Sequence, residues 1–224
     1  MAGIAGLGPL ILTFKLAFTT IVILLILGTP IAWWLAHTKT RLKPAIEATV
    51  ALPIVLPPTV IGFYLLVLLG PQGWPGQLWV RLTGDTLTFS FSGLVIASVV
   101  YSFPFVVQPL QSAFESIGDE VIEAAATLGA SPTDSFFSVT VPLAKRGFLT
   151  ATVMGIAHTL GEFGVVLMVG GNIPGETRVI SIAIYDHVEM LEYGTAHIMS
   201  AVLLGIAFLF MLLLYVVNRR QSHS

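Results

Sequence analysis

Two ionisable residues stand where their neighbours offer no water. His158 and Glu162 lie four positions apart in the apolar run 148–169, the second within Leu160-Gly161-Glu162-Phe163-Gly164. That spacing puts both on one face of a helix. Such a pair has three chemical uses: lining a path for a polar solute, holding helices together by hydrogen bonds, or supplying half of a metal site. A metal site needs more ligands than these two. The chain has no cysteine and no His-Glu-x-x-His pattern, so no metal or cofactor is expected. The flanking Gly161 and Gly164 permit close helix contact or a break. A break would leave backbone amides free to face an anion. A second irregularity is Pro53, Pro57 and Pro58 in the run 48–69. These prolines prevent a regular helical start. Membrane helices tolerate that beside other protein or a water-filled cavity. A kinked packing helix and a pore-lining segment both fit Pro57 and Pro58.

The elements that position these residues follow from composition. Of 224 residues, 55% are hydrophobic and 10% charged, against roughly 25% charged in a soluble domain. Mean hydropathy is +0.91. Lipid is therefore the solvent for most of the surface. A net charge of −2 suggests no nucleic-acid partner. Apolar runs occupy 10–36, 48–69, 91–110, 148–169 and 195–217. Each is near or above the ~20 residues that cross a ~30 Å hydrocarbon core. Backbone groups in lipid must bond within their own segment, so the runs predict helices. The expected fold is an all-α membrane protein with about five transmembrane helices, forming a single transmembrane domain over 1–224.

The first run is long enough to tilt or kink, with Pro30 after Gly28 and Thr29 the natural place for a kink. Its basic cluster follows the apolar stretch, unlike that of a cleaved signal peptide, so the helix is expected to be retained. Placing the first loop inside puts Lys39, Arg41, Lys43, Lys145, Arg146, Arg219 and Arg220 in the cytoplasm. Only Arg81 and Arg178 then fall clearly outside, with Lys15 near the outer end of the first helix. This bias predicts the N-terminus out and the C-terminus in. Residues 71–90 read as an external loop rich in Gly, Pro and Trp. Trp74 and Trp79 sit near the outer interface. The stretch 179–188 is too short and polar to span, and reads as a re-entrant or surface helix.

The internal loop 113–144 has more design than a connector needs. Residues 119–128 form a good helix with Asp119, Glu120 and Glu123 toward its start, complementing the dipole. Gly129 fits the left-handed position that ends a helix. Ser131 caps a second short helix with Pro132 at its first position. Phe136, Phe137 and Val139 give that helix an apolar side, and Pro142 stops it. Small alanines leave a shallow face on which another protein can pack. A plain interhelical loop is the alternative.

Glu123-Ala124-Ala125, then Gly129, then Val139-Thr140-Val141-Pro142 resembles the E-A-A segment of ABC importer permeases. Valines replace the usual aliphatic pair before the proline. The resemblance implies a type I importer permease fold in the cytoplasmic (inner) membrane of a prokaryote. Glu123, Ala124, Ala125, Gly129 and Pro142 would be the positions of a cytoplasmic coupling helix that docks on an ABC ATPase. That ATPase must be a separate subunit, because this chain has no G-x-x-x-x-G-K-[ST] loop. The resemblance also implies a second copy of the chain around the pore and an extracytoplasmic binding protein.

Asn172-Ile173-Pro174-Gly175-Glu176-Thr177-Arg178 is physically a turn-rich loop for which a simple connector role is adequate. It nevertheless resembles the molybdate branch of these permeases. The Gly161–Gly164 stretch and Leu-Pro-Ile-Val-Leu-Pro-Pro at 52–58 are similar to that branch too, although arginine often stands there in place of His158. The implied cargo is molybdate, carried past Pro57, Pro58, His158, Gly161, Glu162 and Gly164. Asn172, Pro174, Gly175, Glu176 and Arg178 would meet a molybdate-binding protein. Sulfate or tungstate permeases of the same family are alternatives. From other classes, an intramembrane metal-dependent hydrolase would use His158 and Glu162, and a proton-coupled carrier would titrate Glu162.

Overall fold

The computed structural model describes residues 7–221, with side chains through 216. Arg219 and Arg220, counted above for topology, therefore have no described side chains. The described residues form helices and no strand. The long elements are α1 (Leu7–His37), α5 (Phe91–Glu115) and α12 (Tyr193–Gln221). All three are long and apolar enough to cross a membrane. α1 runs through Pro30 without interruption, and α5 through Pro104 and Pro109.

The other two apolar runs are not straight spans. The run 48–69 belongs to α2 (Lys43–Val55) and α3 (Pro58–Leu69), which meet at 109°. The run 148–169 belongs to α9 (Lys145–Leu160) and α10 (Gly164–Gly170), which meet at 62°. At 1.5 Å per residue α3 is only about 18 Å long. The physical cause of the first break is Pro57-Pro58, which removes two amide donors where α2 would continue. With each bent pair taken as one span, the chain has up to five.

Shorter helices complete the chain: α4 (Trp74–Thr83), α6 (Asp119–Thr127), α7 (Pro132–Asp134), α8 (Val141–Leu143) and α11 (Ile180–Glu189). A π-helical turn, Ser135–Thr140, joins α7 to α8. α4 shows that 71–90, read above as a loop rich in Gly, Pro and Trp, contains a helix. It is punctuated by Pro75 in its first turn and by Gly84, whose φ of +81° closes its C-terminus.

α1, α5 and α9 share the main core, centred on Leu24, Leu35, Val106, Leu110, Phe114 and Ala151. α3 and α10 pack face to face through glycines. A Cβ on Gly62 would meet Met168 Cβ at 2.8 Å, and one on Gly164 would meet Pro58 Cβ at 2.9 Å. Small residues let two backbones approach where packing, not water exclusion, must join helices. α11 occupies most of the stretch 179–188. It is a short helix buried at Ile180, Ile182 and Ala183 and pinned to α1 by the Ile180 amide, which donates to Thr13 Oγ1 at 2.8 Å.

Candidate functional site

The break between α9 and α10 organises the site. α9 closes with Gly161 N–H donating to the His158 carbonyl at 3.0 Å. Phe163, at φ −132° and ψ −64°, leaves the helical path before α10 starts. Ser181, at the start of α11, donates to the Glu162 carbonyl and holds the non-helical link. Glu162 thus sits in the break and not on a helix, so the predicted shared helix face does not exist as such.

Its side chain turns inward and is 1% exposed. Ser98 Oγ donates to Oε2 and Ser102 Oγ to Oε1, both at 2.6 Å. Hydrogen bonds to a buried carboxylate contribute about 1.5–3 kcal/mol each. Those two bonds tie the break to α5. His158 remains close: its Nδ1 is 2.8 Å from Ser102 Oγ and 3.4 Å from Glu162 Oε1. The imidazole stacks on Phe105, with ring centroids 3.8 Å apart, and tilts against Tyr101 at 4.7 Å. A cavity of about 570 Å³ opens beside it, with Pro58, Tyr101, His158, Gly161, Glu162 and Gly164 in its wall. The structure therefore brings five of the six candidate pore residues together. Pro57 adjoins them as the residue preceding α3 but is not in the wall. Sequence reading missed Ser98 and Ser102. Their four-residue spacing in an apolar helix was the available signal. Among the described residues, no three His, Cys, Asp or Glu side chains gather to hold a metal ion.

The predicted coupling segment forms a separate exposed feature. α6 carries Glu123 and Ala124 on its surface and Ala125 half-buried. Gly129, at φ +89°, ends it in a Schellman arrangement: the amides of Gly129 and Ala130 donate to the carbonyls of Ala126 and Ala125. No atom lies within 4 Å of a Cβ built on Gly129, so backbone conformation alone calls for glycine there. Ser131 caps α7 by accepting from the Asp134 amide at 3.2 Å. Pro142 departs from expectation. It does not stop the helix but sits in α8, directly after the π-helical turn. A π turn shifts the hydrogen-bond partners by one residue, which accommodates a proline that has no amide to donate.

Phe136 anchors this segment to the bundle. It packs edge-on to Trp33, with ring centroids 5.2 Å apart, and lies 6.2 Å from Phe114. A polar network ties α2 to the end of α5, just before α6. Lys43 Nζ, in α2, donates to Glu115 Oε1 at 3.0 Å, and Gln111 donates to Glu47 at 2.6 Å and to Glu115 at 3.0 Å.

On the remaining loop, the Ile173 carbonyl accepts from the amides of Glu176, Thr177 and Arg178, which makes a tight turn. Asn172 Nδ2 donates to both Asp186 oxygens at 2.6 and 2.7 Å, and Arg178 Nε donates to Asn172 Oδ1 at 2.6 Å. Asn172 and Arg178 are thus engaged with α11 through Asp186, which sequence reading did not select. Pro174, Gly175 and Glu176 form the exposed tip.

A family model described as "Binding-protein-dependent transport system inner membrane component" matches residues 28–223. The chain belongs to this family. The permease is 58% identical over 94% of its length to the molybdenum transport system permease protein ModB of Azotobacter vinelandii, covering 93% of that protein. It is 37% identical to ModB of Escherichia coli K12, over 80% of this chain and 78% of that one. A probable sulfate transport system permease protein, cysT, of Anthoceros angustus is 34% identical over 88% of this chain and 68% of its own. Among solved structures, a bacterial ABC transporter involved in the import of the acidic polysaccharide alginate superposes with TM-score 0.75 at 17% identity, over 96% of this chain and 79% of that one. An amino acid ABC transporter gives TM-score 0.65 at 19% identity, over 96% and 94%. The fold of the permease is that of ABC importer permeases. It is an inner-membrane transport subunit and not an enzyme, so the hydrolase reading of His158 and Glu162 falls away.

Proposed function

We propose that two copies of this permease form the membrane conduit of an ATP-driven molybdate importer. The observation that carries the cargo is the 58% identity, over nearly the full length of both chains, to a molybdenum transport permease. The cavity beside the broken α9–α10 span is a section of the conduit, walled by Pro58, His158, Gly161, Glu162 and Gly164. The exposed α6 surface, with Glu123, Ala124 and Ala125, docks on a separate cytoplasmic ATPase. Phe136 and the Lys43–Glu115 link pass its displacement to α1, α2 and α5. Closure of the ATPase dimer then reopens the conduit to the other side. The tip Pro174-Gly175-Glu176 meets the molybdate-binding protein, while Asn172 and Arg178 keep the tip in shape.

The 34% identical sulfate permeases support a second reading, sulfate as cargo. Both are tested by reconstituting the permease with its ATPase and binding protein in proteoliposomes and following labelled molybdate. ATP-dependent uptake that persists when the proton gradient is collapsed, and that excess sulfate does not suppress, is expected. Suppression by equimolar sulfate transfers the assignment to sulfate. Uptake driven by a proton gradient without ATP rejects the importer reading.

A further inference from the structure

The hydrogen-bond inventory around Ser102 fixes which edge of His158 carries which proton. Ser102 has one hydroxyl proton and three polar neighbours: Glu162 Oε1 at 2.6 Å, His158 Nδ1 at 2.8 Å and Thr159 Oγ1 at 3.1 Å. The Glu162 oxygen is the nearest of the three and accepts the Ser102 proton, as its other oxygen accepts that of Ser98. Thr159 spends its own proton on the Gly155 carbonyl at 3.0 Å, and Ser98 donates to the other Glu162 oxygen. For the 2.8 Å contact to be a hydrogen bond, His158 Nδ1 must then be the donor. Nδ1–H is therefore occupied in both charge states, and Nε2 is the edge that gains or loses a proton. No described residue hydrogen-bonds Nε2. The ring lines the cavity and its side chain is 17% exposed.

The two charge states present opposite chemistry to that cavity. Neutral His158 offers a lone pair, which repels an oxyanion. Protonated His158 offers an N–H and a positive charge, and balances a carboxylate held out of water 3.4 Å away. The other titratable groups in the wall are Glu162 itself and Tyr101, and α3 and α10 contribute none. No lysine or arginine lines it, so His158 is the one cationic group that this wall can present among the described residues.

We propose that protonated His158 donates its Nε2–H to the translocated tetrahedral oxyanion, with Glu162 and Ser102 as positioning residues that hold the ring. The inference rests on reading the cavity as part of the conduit. It makes oxyanion passage proton-dependent through one side chain. Passage is full where the imidazole is protonated and declines as pH rises and Nε2 loses its proton.

The test uses the whole complex in proteoliposomes, with equal pH on both sides, and reads molybdate uptake per ATP hydrolysed. His158→Gln keeps a polar side chain without the charge, and its uptake falls by roughly tenfold or more at low pH. His158→Arg carries a permanent charge and stays within about threefold of wild type at low pH. Because partners and buffers are shared, the ratio of His158→Arg to wild-type uptake isolates this residue, and it rises as pH increases. His158→Lys supplies a second permanent cation if arginine disturbs the Phe105 stack. Co-purification with the ATPase and the melting temperature of each variant report folding. Uptake by His158→Gln equal to wild type at low pH overturns the inference, as does a ratio flat with pH for both cationic variants. In either case wild-type molybdate uptake continues and the conduit reading stands. Absence of molybdate uptake by the wild-type complex, with its ATPase active, overturns the conduit reading and the inference together.

Discussion

At the scale of single residues, the site turns on a carboxylate that has exchanged water for two serine hydroxyls. Glu162→Ala removes the acceptor of both Ser98 and Ser102 and leaves two buried hydroxyls without it. Ser102 keeps His158 and Thr159 as neighbours, whereas Ser98 loses its carboxylate partner, at about 1–3 kcal/mol. Ser98→Ala leaves Glu162 one remaining serine donor. We therefore expect thermal unfolding of the detergent-solubilised protein to fall further for Glu162→Ala than for Ser98→Ala. Equal melting temperatures for the two variants would contradict a load-sharing network. Glu162 and His158 stood out in the sequence because ionisable groups inside an apolar run are costly. Their partners did not. The pairing of residues 98 and 102 with 158 and 162 is a tertiary contact, and the serine spacing on α5 marks a polar face without naming its partner. Gly129 was legible for the opposite reason: the left-handed position is dictated by the few residues around it.

At the scale of elements, hydropathy located the runs but not their bends. α1, α5 and α12 were readable because length and apolarity suffice for a straight span. The 109° and 62° breaks were not. Window hydropathy is blind to backbone direction, and only the prolines at 53, 57 and 58 and the glycines at 161 and 164 hinted at interruption. The helix α4 was missed because Gly and Pro dominate its surroundings, although Pro75 and Gly84 are start and stop signals. The glycine contacts between α3 and α10 give a prediction at this scale. Gly164→Val places carbon atoms against Pro58, where a Cβ alone already approaches to 2.9 Å. Overpacking of this kind costs about 1–3 kcal/mol. Transport should slow several-fold while ATPase co-purification is unchanged, since α6 is remote in the chain. Normal uptake would show that the α3–α10 contact is not part of the conduit wall. Phe136 makes a complementary case. Phe136→Ala loosens the coupling segment from Trp33 and Phe114, at about 2 kcal/mol for a half-buried ring. ATP hydrolysis should continue with less molybdate carried per ATP. An unchanged ratio would dismiss Phe136 as a transmission contact.

At the scale of the whole molecule, the proposed function gives the permease two working ends joined by α5. One end is the cavity at the broken spans, reached through Ser98 and Ser102. The other is the α6 surface, which follows directly from the end of α5 at Glu115. The uneven distribution of lysine and arginine predicts a cytoplasmic place for the second end, where the proposal docks it on a motor in another subunit. The chain has no native cysteine, so a single introduced thiol reports cleanly. Leu128, at the end of α6, is 89% exposed. The most direct measurement is labelling of Leu128→Cys by a membrane-impermeant maleimide in intact and permeabilised cells, with and without the ATPase subunit. The account predicts labelling only after permeabilisation, and protection of the thiol when the ATPase is bound. Labelling in intact cells, or labelling indifferent to the ATPase, would contradict it.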